Sequence, residues 1–247
     1  MKCYIQPLLT LVRRILCTTE FGRQITEKYK AARRKRAVMK ARRRLQTCGW
    51  AVLRHCIEMI QQENIPAYAE YGTLLGMVRE NGFIKHDDDI DFGVAPEGIA
   101  PKKLLEIAIA HGLEFSRAFF WRGQITELTF TYKNIPIDFF YTYRHTDGRI
   151  YGQAYDAFTF ENGRDVAKFV VRLYKPEYKG IELLRVRELA VPVPVNKEEF
   201  LEYNYGADWR MPIEGFKGEH LKQNREYFED EALIITREDD IKEDDIK

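Results

Sequence analysis

The stretch Tyr71-Gly72-Thr73-Leu74-Leu75-Gly76-Met77-Val78-Arg79, continued after two residues by Gly82-Phe83-Ile84-Lys85-His86-Asp87-Asp88-Asp89-Ile90-Asp91-Phe92-Gly93, decides the reading of this chain. It sets Asp87, Asp88, Asp89 and Asp91 against apolar neighbours without alternating their sign. Carboxylates this close repel one another, so a fold tolerates them only hydrated or neutralised by cations. Ile90, Phe92 and Val94 alternate with Asp89, Asp91 and Gly93, the period of a strand that buries the first three on its core face. Asp89 and Asp91 then share the other face, within reach of one hard divalent ion. Taken alone, the run is compatible with a catalytic metal site, a solvated acidic turn or a lone Ca²⁺ loop.

The residues before it add a second signal. Gly72 permits close approach of the main chain, Thr73 suits a helix N-cap, and Leu74, Leu75 and Val78 have helical spacing. A short helix is therefore expected over residues 73 to about 81, with its first N–H groups facing an anion at Thr73. Arg79 is a further candidate grip on a phosphate, an ordinary surface arginine being the alternative. A helix start that can seat a phosphate, followed by paired carboxylates that can hold a metal ion, is a layout for phosphoryl transfer.

Composition sets the frame. A chain of 247 residues with 45% hydrophobic residues can bury a full core and suits one domain with appendages. The net charge of +1 hides an asymmetry, because residues 1–50 hold 14 Lys and Arg against 2 Asp and Glu. Residues 1–44 are read as a basic helical arm, with Leu8, Leu9, Val12, Ile15 and Leu16 at helical spacing. Such an arm suits peripheral contact with an anionic membrane or a solvated helix; nucleic acid is not expected, for lack of interleaved aromatics. Ile5 to Leu16 is interrupted by Arg13 and Arg14 and is too short to span a bilayer. Cys3, Cys17, Cys48 and Cys56 have neither zinc nor redox spacing, so they are expected as reduced, small buried hydrophobes of a cytoplasmic protein, peripheral at the inner face of the membrane.

Along the chain, Leu45 to Glu63 continues as a helix with Val52, Leu53, Ile57 and Ile60 inward, ended by Asn64-Ile65-Pro66, and Ala67 to Tyr71 is a short strand. Pro101 to His111 is expected as a helix with Leu104, Leu105 and Ile107 to Ile109 inward, stopped by Gly112. Gln124 to Lys133 and Ile135 to Tyr143 form a hairpin about Asn134. Within it Asp138 is a lone acid between Ile137 and Phe139, which burial penalises unless a cation meets it; solvent exposure or an arginine partner is the alternative. Residues 146–163 read as a turn and an irregular aromatic stretch, residues 169–195 as short strands, residues 219–228 as a last helix, and residues 229–247 as an acidic tail ending in a direct repeat of Glu-Asp-Asp-Ile-Lys.

The motif from Gly72 to Asp91, with Val191-Pro192-Val193-Pro194, Phe200-Leu201, Tyr205-Gly206 and Asp208-Trp209 further on, resembles the LicD/fukutin-related phosphotransferases of the nucleotidyltransferase superfamily. The resemblance departs at Lys85-His86, where the family has a Pro-Trp-like pair. It implies an α+β fold: a small mixed β-sheet of nucleotidyltransferase type flanked by helices, spanning residues 45–228 behind the basic N-terminal helical arm, with the acidic site at its open edge. It implies Asp89, Asp91 and Asp138 as catalytic metal ligands for Mg²⁺ or Mn²⁺, Gly72, Thr73 and Arg79 around the donor phosphates, Asp87 and Asp88 at the rim, and Glu127 as a weaker candidate for the place given to Asp138. The implied reaction moves a phospho-alcohol, phosphocholine-like, from a CDP-linked donor to a sugar hydroxyl of a glycan or lipid-linked glycan acceptor, releasing CMP. Two other functions use the same residues: a nucleotidyltransferase that consumes an NTP and releases pyrophosphate, and a non-catalytic membrane- or metal-binding module.

Overall fold

In the computed structural model, residues 20–96, 98–161, 164–212 and 224–241 are described. Helix α1 (Glu20–Gln62) runs without a break through position 44, where the basic arm was expected to give way to the domain. Its second half buries Leu45, Val52, Leu53, Cys56, Ile57, Met59 and Ile60, the stripe that a 3.6-residue period places on one side. Cys56 is thus the buried hydrophobe expected of it, whereas Cys48 is exposed. The apolar positions between Leu8 and Leu16 lie outside the described residues.

The fold is α+β, and its central element is a mixed sheet of nine strands in the order β1-β2-β5-β4-β3-β11-β8-β7-β6. These are β1 (Ala67–Ala69), β2 (Ile90–Val94), β3 (Glu114–Trp121), β4 (Gln124–Tyr132), β5 (Ile135–Tyr141), β6 (Tyr143–Arg144), β7 (Ile150–Glu161), β8 (Arg164–Lys175) and β11 (Arg225–Ile235). A separate ribbon pairs β9 (Ile181–Val186) with β10 (Leu189–Pro194). The helices are α2 (Tyr71–Leu75), continued by a π-turn over Gly76–Glu80, α3 (Pro101–Ala110) and α4 (Lys197–Tyr205). β2 and β5 run parallel, and Ile90, Phe92, Ile137 and Phe139 are fully buried on their core face. The Phe92 and Phe139 rings stack at 5.3 Å, and burying each such side chain contributes about 1.5–3 kcal/mol.

Several sequence expectations are met because the local signals were strong. The β4–β5 turn has Lys133 and Asn134 both at positive φ, the geometry of a two-residue hairpin loop. Gly112, at φ +81, follows the end of α3, although Ile109 is 38% exposed rather than inward. Others fail for identifiable reasons. The stretch read as irregular after Gly148 is the long strand β7, whose pairing with β8 shifts register around Asp156. Residues 225–228, expected in a last helix, instead open β11, which runs past the expected tail boundary at 229. Its charges concealed it: Glu226 pairs with Arg172, Asp230 with Arg122 and Glu231 with Lys168, partners that no single stretch reveals. The tail is not all frayed either, since Ile241 is buried in the main core; residues 242–247 lie outside the described set.

Although β6 ends the strand order, it begins one residue after β5, so the sheet curls back on itself. Tyr155 of β7 accordingly hydrogen-bonds Thr126 of β4 and stacks on Phe119 of β3 at 4.5 Å.

Candidate active site

The parallel register of β2 and β5 sets Asp91 opposite Asp138. With Asp89 they form a cluster in which one ligand oxygen from each lies within 4.8 Å of the others. Asp91 and Asp138 are 7% and 6% exposed. The sequence-predicted trio is therefore brought together. Asp87, Asp88 and Asp89 make an adjoining cluster of the same dimension, closer to solvent. Glu127 and Thr129 lie on β4 alongside, Thr129 standing opposite Asp138, and the Thr129 hydroxyl donates to Glu127 Oε1 at 3.1 Å.

Burial first, and repulsion from Asp89, Asp87 and Asp138 next, hold the Asp91 carboxyl well above its ordinary range. Burial likewise pushes Asp138 up to about 6, with Asp89 adding to the rise, and Glu127 up to about 8, with Asp138 adding. Asp87 reaches about 8 through burial and then the charge of Asp89, and Asp89 is itself raised by burial. Among the described residues no Lys or Arg forms an ion pair with Asp89, Asp91 or Asp138. Asp138 Oδ1 and Asp87 Oδ2 are buried without a hydrogen-bond partner. An all-oxygen, anionic donor set with orphaned lone pairs fits a hard divalent cation.

The turn before the strand differs from the expectation. The helix starts earlier, at Tyr71, and its N-cap is Glu70, whose carboxylate accepts from the Tyr71 N–H at 3.2 Å. Thr73 is not the cap: it is fully buried, and its hydroxyl accepts the Asp91 N–H at 2.8 Å, fastening the helix to the acidic strand. Gly72 is required by a close approach, since a Cβ there would stand 2.5 Å from Asp87 Oδ2. Tyr71 carries a φ of +41°, a strained value for an aromatic residue. It is held there by its N–H bond to Glu70, an edge-on contact with Phe140 at 4.9 Å and Lys175 Nζ 4.6 Å from its ring centroid. Arg79 bonds Glu80 through Nε at 2.8 Å and donates to the Trp209 carbonyl at 3.0 Å, so it braces the 209 segment beside the site.

Sequence reasoning missed the group that supports all this. Glu70 and Lys175 are both fully buried and pair at 2.8 Å, and Asn204 donates to the other oxygen of Glu70 at 3.0 Å. Gly93 leaves room for them, because a Cβ there would meet the Tyr68 ring at 2.6 Å and Glu70 Oε2 at 3.0 Å. The available signal was a lone lysine closing the apolar run Phe169-Val170-Val171-Arg172-Leu173-Tyr174.

Two concavities share Tyr205 at the acidic face. One, of about 420 Å³, is walled by aromatic rings including Tyr71, Phe140, Tyr174 and Tyr203, with Arg225 at its side. The other is a cleft of about 1060 Å³, lined among others by Arg42, Trp50, Arg79, Lys85, His86 and Arg187.

Comparison with known proteins agrees with this geometry. The chain is similar to the ribitol-5-phosphate transferase FKTN of Mus musculus, at 26% identity over 163 residues, and to that of Homo sapiens at 24%. The match takes in 66% of this chain but spans 33% of the length of either relative. The profile described as "LicD/FKTN/FKRP, nucleotidyltransferase domain" matches residues 64–196, from the end of α1 through β10, and so contains every carboxylate of the cluster. With more than half of its length inside that profile, and with the acidic strands where the resemblance placed them, this chain belongs to the LicD/FKTN/FKRP family.

Proposed function

We propose that the protein is a divalent-metal-dependent phosphotransferase that moves a phospho-alcohol from a CDP-linked donor to a hydroxyl of a glycan or its lipid-linked precursor. The convergence of Asp89, Asp91 and Asp138 within 4.8 Å carries the reading. These three would hold Mg²⁺ or Mn²⁺, which when bound neutralises charge on the phosphoryl oxygens and on departing CMP. The acceptor hydroxyl forms a new P–O bond as the bond from that phosphorus to the CMP oxygen breaks. Asp138, within the cluster that would hold the metal, is the carboxylate assigned to take the hydroxyl proton. The main-chain N–H groups of Gly72 and Thr73, which as first-turn groups have no intrahelical acceptor, would meet the donor phosphates.

The names of the relatives favour ribitol 5-phosphate over a phosphocholine-like group. The cleft with Arg79, Lys85 and Arg187 suits an acceptor that carries phosphate. Lys35, Arg36, Lys40 and Arg43 are exposed along α1 and would favour an anionic membrane surface if that acceptor is lipid-linked. Among the described residues no helix is long and apolar enough to cross a membrane.

Incubation with Mg²⁺, a phosphorylated glycan acceptor and, in turn, CDP-ribitol, CDP-choline and CTP tests the reaction class. CMP released from CDP-ribitol supports the proposal, pyrophosphate from CTP supports a nucleotidyltransferase in its place, and no product from any of the three marks a non-catalytic module.

A further inference from the structure

The aromatic cavity contains a group to which the reaction above gives no task. Gln153 of β7 lines it and is 2% exposed, yet among the described residues neither its Oε1 nor its Nε2 has a partner. A buried amide in that state lowers stability relative to an apolar side chain of the same size, so its presence calls for a ligand that completes it. The Tyr71 hydroxyl is buried and unpartnered in the same cavity. Phe140, another wall, lies two residues beyond Asp138 on the same face of β5, about 7 Å along the strand. A molecule in the cavity therefore ends one pleat from the acidic cluster.

We infer that this cavity takes the base of the nucleotide donor and that Gln153 reads its Watson–Crick edge; the inference rests on the nucleotide-donor reading above. A primary amide offers an acceptor and donors side by side in one plane. Cytosine presents the complement, an exocyclic amine beside the N3 acceptor, so the two close with a pair of hydrogen bonds. Rings such as Tyr71, Phe140, Tyr174 and Tyr203 supply faces against which a flat base packs. A polyol offers hydroxyls spread around a flexible chain and gains little from flat walls. The alcohol of the donor is therefore assigned to the other side of the acids, towards the cleft that shares Tyr205.

The test uses the whole protein with Mg²⁺, the wild type against Gln153→Leu and Gln153→Met. CMP and ribose 5-phosphate are titrated calorimetrically, and the Tm is recorded without ligand. CMP affinity should fall about tenfold or more in both variants, because two hydrogen bonds to the base are lost. Ribose 5-phosphate affinity should be unchanged and the Tm unchanged or higher. CMP binding that survives in both variants overturns the assignment of the base and leaves the transferase reading standing. Parallel loss of CMP and ribose 5-phosphate binding, or failure of both variants to fold, makes Gln153 structural and also overturns it. A wild type that binds no CMP removes both readings together.

Discussion

Two buried charged groups lie against the same glycine-bearing strand, and the chain treats them in opposite ways. Glu70 is fully buried, and its carboxylate is answered on every side by Lys175, Asn204 and the Tyr71 N–H. Asp91 and Asp138 are almost as buried, and among the described residues no Lys or Arg forms an ion pair with them while further carboxylates stand beside them. The first arrangement is complete within the chain and fixes the N-terminus of α2. The second is stable only in part, and its deficit has the sign and size of a metal ion.

The sharpest way to break this contrast is to remove one charge from each group and ask what is lost. Asp91→Asn should lower turnover about 10²–10³-fold, while the metal-free protein should melt at a higher temperature than the wild type, since a repulsive charge is gone. Activity and Tm falling together would place Asp91 with Glu70 as a structural acid. Lys175→Met should behave in the reverse manner, costing about 3–5 kcal/mol in urea denaturation because it strands Glu70 in the core. Adding Glu70→Gln to it should restore a large part of that loss, a coupling that two independent sites would not show.

The smallest effect concerns pH. Asp138, Glu127 and Asp87 have folded values of about 6, about 8 and about 8, all above those of an unfolded chain. The folded state then holds more protons than the unfolded one between about pH 4 and about pH 8, so stability falls as pH rises through that window. Without metal, Tm should decline by a few degrees from pH 5 to pH 8. Mg²⁺ should raise Tm more at pH 8 than at pH 5, because it binds the deprotonated cluster. A flat metal-free profile would show that the carboxylates are not held apart from solvent.

The carboxylate cluster in this comparison was legible in the sequence. Ile90, Phe92 and Val94 alternate with Asp89 and Asp91, so periodicity assigned their faces, whereas Asp138 stood out as an acid interrupting an apolar strand and received its role from the resemblance. The structural half was not. Glu70 and Lys175 are 105 positions apart, and each reads locally as an ordinary surface charge. Thr73 resembled a cap because hydroxyl residues at helix starts usually are, whereas here its oxygen meets a strand 18 positions away. Bulges displaced the alternation in β7, and ion pairs across strands hid β11, both being properties of pairing that one stretch does not carry. Gln153 was overlooked for the same reason: only the curl of the sheet brings it towards Phe140.

The last strand enters the middle of the sheet. β11 is inserted between β3 and β8, which neither touch in sequence nor pair with each other. A ribosome that has delivered residues 1–224 has made the hairpins carrying Asp138 and those carrying Gln153, but not the rivet that joins them. Until Arg225–Ile235 emerges, the nascent chain exposes the open strand edges of β3 and β8. Completion of the nine-stranded sheet thus waits on those eleven residues, which lie far along the chain from both strands that they join.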